Sequence, residues 1–99
     1  MSENAMGVTL KFVGALRRDA GKDQIIFEGK NDVTLLDLVN SVTRELPLLR
    51  SSLLDEQLKP PKCNALVLVN GKEISVLNGL QTRVKDGDEI VFIPVVHGG

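Results

Sequence analysis

The sequence predicts an α+β domain, a mixed sheet of four to five strands packed on one main helix. Apolar residues recur with period two in the early and late segments and with helical spacing in one stretch between them. Turn dipeptides, Asn70-Gly71 and Asp86-Gly87, bracket the later strands. The 99 residues, 42% hydrophobic and 25% charged, supply one core and no second.

Val8-Thr9-Leu10-Lys11-Phe12 alternates apolar and polar, which makes a first strand with Val8, Leu10 and Phe12 facing inward. Residues 1–7 are set outside the fold as a disordered lead-in or as non-native residues ahead of a natural start at Met6, and after Gly14 the polar run Arg17-Arg18-Asp19-Ala20-Gly21 reads as a loop. Gln24–Glu28 is a second strand ending at Gly29, antiparallel to the first. From Thr34 the period changes. Leu35, Leu38, Val39, Val42 and Leu46 share one helix face, Thr34 with Asp37 resembles a capping pair, and Pro47 marks the end. Leu48–Leu58 is weakly periodic, with Leu49, Leu53 and Leu58 as anchors of a short helix or turn, and Lys59-Pro60-Pro61-Lys62 is an extended connection.

Ala65–Val69 is the next strand, turning at Asn70-Gly71 and returning through Glu73 and Ile74. Asn78-Gly79 and Asp86-Gly87 are further turns, and a final strand runs from Asp88 to about Val95. The domain thus occupies residues 8–95, with a flexible tail over 96–99. Both late strands are apolar on both faces, yet one long helix covers a single face. The other face, carrying Val13, Leu66, Leu68, Val91 and Ile93, is read as an exposed patch that docks a partner, unless the Leu48–Leu58 segment folds over it.

Several chemistries are excluded. A net charge of −1 creates no basic field for nucleic acid or anionic lipid. Arg17-Arg18 is the only adjacent basic pair and has no aromatic platform beside it. One histidine and one cysteine provide no metal-ligand spacing. Cys63 alone forms no internal disulfide, so a reducing cytoplasm is the expected compartment, and Cys63 itself is read as a partly buried strand-edge residue. The isolated glycines Gly71, Gly79 and Gly87 are turn residues and not a phosphate loop. Residues 1–5 lack the pattern of a signal peptide, and the longest apolar run, Ile90–Val96, is too short to cross a bilayer.

What remains is Val95-Val96-His97-Gly98-Gly99. Two terminal glycines arise by chance in about 0.5% of chains. The glycines are either a frayed end or a tail that, without Cβ atoms, can thread a narrow channel, with Val96, His97 and Gly98 as the inserted segment and the Gly99 carboxylate brought to another enzyme's reacting groups. That carboxylate, with a pKa near ~3.5, is ionised and a poor electrophile, so it needs activation elsewhere, such as acyl-adenylate formation with ATP and Mg²⁺. His97 reads as a solvent-exposed tail residue with no protonation role.

Asn70-Gly71-Lys72-Glu73-Ile74, then Val84-Lys85-Asp86-Gly87-Asp88-Glu89-Ile90, Pro94 and the terminal Gly98-Gly99 together resemble the ubiquitin-like sulfur-carrier family. That family includes the molybdopterin synthase small subunit, the thiamine-pathway sulfur carrier and the ubiquitin-related modifier. The resemblance spans Val8 to Gly99, least so over Leu48–Cys63. It implies a β-grasp fold and a co-substrate that is not an enzyme by itself. It further implies that Gly99 is adenylated by an ATP-dependent activating enzyme and converted to a thiocarboxylate. The acceptor would be a pterin precursor in the molybdopterin synthase large subunit, or tRNA uridine through a thiolation enzyme. Alternatively, Gly99 would be joined to lysines of target proteins, or the chain would be a passive docking module. Nothing implies a cofactor held by this chain, a direct nucleic-acid contact or a membrane contact.

Overall fold

A computed structural model describes residues 5–30 and 32–95. The chain runs β1 (Ala5–Phe12), α1 (Ala15–Ala20), β2 (Gln24–Lys30), β3 (Val33–Thr34), α2 (Leu35–Thr43), α3 (Pro47–Leu53), β4 (Leu54–Asp55), β5 (Lys62–Cys63), β6 (Ala65–Val69), β7 (Lys72–Glu73), β8 (Arg83–Val84) and β9 (Glu89–Pro94). Short 3₁₀ turns stand at Ile74–Val76 and Gly79–Gln81. The main sheet has the order β2-β1-β9-β6-β7, while β3–β8 and β4–β5 form separate two-stranded ladders. β1 is antiparallel to β2 and parallel to β9, and β9 is antiparallel to β6. The last strand in sequence is therefore the middle strand in space.

Alternation directs the core. Val8, Leu10 and Phe12 of β1, Val67 of β6 and Ile90 and Phe92 of β9 are buried on the helix side, and the Phe12 and Phe92 rings stack with centroids 5.5 Å apart. Leu35, Leu38 and Val39 of α2 meet them. Thr34 caps α2 as its spacing predicts, its Oγ1 accepting from Asp37 N–H at 3.1 Å, a bond whose removal costs about 1 kcal/mol.

Four expectations need correction. First, β1 begins at Ala5 and not at Val8, pairing with β2 as far as Lys30. Residues 5–7 belong to the sheet because Gly7 is held from both sides: its N–H donates to Asp86 Oδ1 at 2.7 Å and its carbonyl accepts from Gly87 N–H at 2.9 Å. Second, the polar run after Gly14 is a helix. Leu16 and Ala20, four apart, bury one side of it, and Gly21 at φ 79 ends it, its N–H donating to Arg17 C=O.

Third, α2 stops at Thr43, three residues before Leu46. The Thr43 hydroxyl turns back to Val39 C=O at 2.7 Å and accepts from Arg50 Nη1 at 3.2 Å. Pro47 is the first residue of α3, where its fixed φ suits a helix start. Fourth, Leu58 is exposed and anchors nothing, whereas Leu49 and Leu53 of α3 are fully buried. The short helices α1 and α3 thus join the main helix α2 in covering the inner face. Asp19 Oδ2 accepts from Ser52 Oγ at 2.6 Å, joining α1 to α3.

The two motifs around Asn70 and Asp88 prove to be partners. Asn70 and Gly71 form the β6–β7 turn at φ 51 and 85. The Asn70 side chain donates from Nδ2 to Asp88 Oδ1 and accepts from Glu89 N–H, both at 2.9 Å. Asp88 Oδ2 accepts from Lys85 N–H at 2.8 Å. This network fastens the start of β9 between its two neighbours.

Candidate functional site

The candidate site is built around β9. Ile90 and Phe92 point into the core, so Val91 and Ile93 point out through the opposite face. Register places Leu66 opposite Ile93 and Leu68 opposite Val91. Val13 follows the Phe12–Phe92 pair and joins the same row, its N–H donating to Phe92 C=O at 3.1 Å. All five predicted patch residues are thus brought together on one face beside the end of β9. Val13 is 40% and Leu66 38% exposed, and the other three are half-buried. The alternative cover is overturned, because α3 sends Leu49 and Leu53 into the core from the helix side and leaves this face open.

Charge borders the patch. Lys11 Nζ and Glu89 Oε2 pair at 3.0 Å across the β1–β9 ladder, and Glu73 stands opposite Leu68 on β7. The Ser75 hydroxyl and the Ser75 N–H both donate to the Glu73 carboxylate, which holds its pKa below the usual carboxylate value. Ile26, half exposed on the same face, was not counted in the predicted patch; Thr9 and Lys11 separate it from the patch.

The tail is rooted at the patch. Val95 follows β9 directly and is the last described residue; Val96, His97, Gly98 and Gly99 lie outside the described residues. Cys63 sits on β5, half-buried at the rim of a hollow of about 480 Å³ lined by Leu36, Pro60, Pro61, Ile74 and Leu80. Burial pushes its thiol pKa up, a nearby Glu73 charge adds to this, and a backbone hydrogen bond from Ala65 opposes it. This is the setting of an unreactive thiol. Arg17 and Arg18 are on α1 and not on a loop, with Arg17 Nε paired to Asp23 Oδ1 at 3.1 Å. Among the described residues no cluster of metal ligands is formed and no helix is long and apolar enough to cross a membrane.

A central last strand parallel to the first, an antiparallel hairpin and helices on one face define a ubiquitin-like β-grasp protein. The same architecture is found in the solution structure of small archaeal modifier protein 1 from Methanosarcina acetivorans. That structure is 30% identical, superposes with a TM-score of 0.77, and covers 96% of this chain and 98% of its own. More particularly, the chain belongs to the ThiS family, whose model matches residues 10–99. It is 32% identical over 94 residues to small archaeal modifier protein 3 of Haloferax volcanii, spanning 95% of this chain and 100% of that protein. It is also 35% identical over 78 residues to the ubiquitin-related modifier 1 homolog of Dictyostelium discoideum, spanning 77% and 78%.

Proposed function

We propose that this member of the ubiquitin-like sulfur-carrier and modifier family carries sulfur on the carboxyl group of Gly99. The carboxylate attacks the α-phosphate of ATP in an activating enzyme that uses Mg²⁺, releasing pyrophosphate and forming an acyl adenylate. Sulfide-level sulfur, HS⁻ supplied by a donor, then attacks the acyl carbon and expels AMP, leaving a thiocarboxylate with no change in the oxidation state of sulfur. The chain holds no cofactor in this scheme and acts as a co-substrate in the cytoplasm, delivering sulfur to a molybdopterin precursor or to tRNA uridine through the acceptor's own enzyme.

The support is positional. The strand pinned on both sides in the middle of the sheet is the one that leads to Gly98-Gly99, and an open apolar face lies beside its exit. On this reading Val13, Leu66, Leu68, Val91 and Ile93 dock the activating enzyme while the tail enters its site. At ~3.5 Å per residue, the four residues after Val95 reach at most ~14 Å, so docking must occur close to the reacting groups.

Intact mass measured on protein from its own cells tests the chemistry: an increase equal to sulfur replacing one oxygen is expected. Deleting Gly99 should abolish sulfur transfer while leaving the urea midpoint unchanged, and transfer by the folded truncation would refute the scheme. The second reading is conjugation of Gly99 to lysines, favoured by the modifier names of the relatives above. It predicts a ladder of higher-mass adducts on immunoblots of cell extract.

A further inference from the structure

We propose that the fold contains a stop that ends the β9 ladders at Pro94 and keeps Val95 unpaired, with Pro94 as its positioning residue. The consequence for delivery rests on the sulfur-carrier reading; the geometry does not. Backbone groups along β9 alternate between its neighbours. The carbonyls of Asp88 and Phe92 accept from Thr9 and Val13 N–H of β1 at 3.1 Å each, whereas the Glu89 carbonyl accepts from Asn70 N–H on the β6 side at 2.8 Å. By this alternation the next donor toward β1 belongs to position 94. Proline has none to give.

The acceptor that such a donor would meet holds one long hydrogen bond and keeps its second lone pair free. Val13 C=O turns into α1 and accepts from Leu16 N–H at 3.3 Å. On the other flank, the Ala65–Pro94 register makes Asn64 and Val95 the next partners. Asn64 N–H instead donates to Leu53 C=O at 2.7 Å. Both neighbours therefore leave the ladder at one rung. Gly14 completes the arrangement: at φ 60, a Cβ there would come within 3.3 Å of Pro94 Cγ, so the missing side chain is what lets the β1–α1 turn lie against the proline ring.

The consequence is competition. A tail segment able to pair with its own sheet would have to break that pairing before entering an enzyme, which lowers its effective availability by about fivefold per hydrogen bond. Pro94→Ala supplies the missing donor with little change in volume. Its new amide at position 94 is expected to exchange more slowly than in an unstructured peptide and to show a through-hydrogen-bond coupling to Val13 C=O. The kcat/KM for ATP–pyrophosphate exchange, measured with the adenylating enzyme of the same cells, should fall about fivefold while the urea midpoint holds or rises. A merely structural proline would lower the midpoint and spare kcat/KM. A freely exchanging amide at position 94 overturns the stop, and a bonded amide with unchanged kcat/KM overturns its link to delivery. If the unsubstituted chain is never adenylated, the sulfur-carrier reading fails, and the amide measurement still decides the stop.

Discussion

The two ends of β9 are treated in opposite ways. At its start, Asn70, Asp86 and Asp88 supply side-chain hydrogen bonds that fasten the strand to both neighbours, and Gly7 of β1 is drawn into the same network. At its finish, Pro94 offers no donor while Val13 C=O and Asn64 N–H turn to other partners. Between the ends, Phe92 is wholly buried and stacked on Phe12. One strand is thus fastened at one end and leaves its ladders at the other. The difference arises from where hydrogen-bonding groups are supplied and where they are withheld.

The largest loss of stability is expected at the middle of the strand. Phe92→Ala removes the ring that both ladders share and should cost about 3–5 kcal/mol in urea unfolding, a large share of the roughly 5–15 kcal/mol available to a domain of this size. Amides at both ends of β9 should then lose protection together; loss confined to one end would show that the ends are not held by a common core. Asn70→Gly acts on the fastened end alone. Glycine keeps the positive φ of the turn and removes only the two side-chain bonds, so the expected loss is about 1–2 kcal/mol. Hydrogen exchange at Glu89 should rise, with Ile93 unaffected.

How much of this was legible in the sequence depended on how local its causes were. The Thr34 cap, the Asn70-Gly71 turn and the period-two strands are set by residues a few positions apart, and they appear where the spacing puts them. The side-chain parity of Val13, Leu66, Leu68, Val91 and Ile93 was readable for the same reason. The extension of β1 to Ala5 was not, because it depends on Asp86 and Gly87, some eighty positions away. α1 was hidden because only Leu16 and Ala20 mark its buried side among polar neighbours. Pro47 read as a stop because proline both ends and begins helices, and only the seating of Leu49 and Leu53 distinguishes the two. That seating also decided that the patch stays open.

The mildest expected effect on the fold is also the sharpest separation of fold from docking. Val91→Glu with Ile93→Lys places charge on the open face and keeps the net charge of −1. Position 91 pairs with Lys11, so a carboxylate there meets an opposite charge across the ladder. Neither side chain points at the core, so unfolding free energy should change by about 1 kcal/mol or less. Yet two apolar contacts at the centre of the proposed docking surface are lost at once, and association with the activating enzyme should weaken by at least about tenfold, with the Gly98-Gly99 tail itself unaltered. Adenylation at saturating enzyme should recover, because the reacting carboxyl is the same atom. If affinity is unchanged, the tail alone carries recognition; if recovery fails at saturation, the face helps to orient the tail as well as to dock the body.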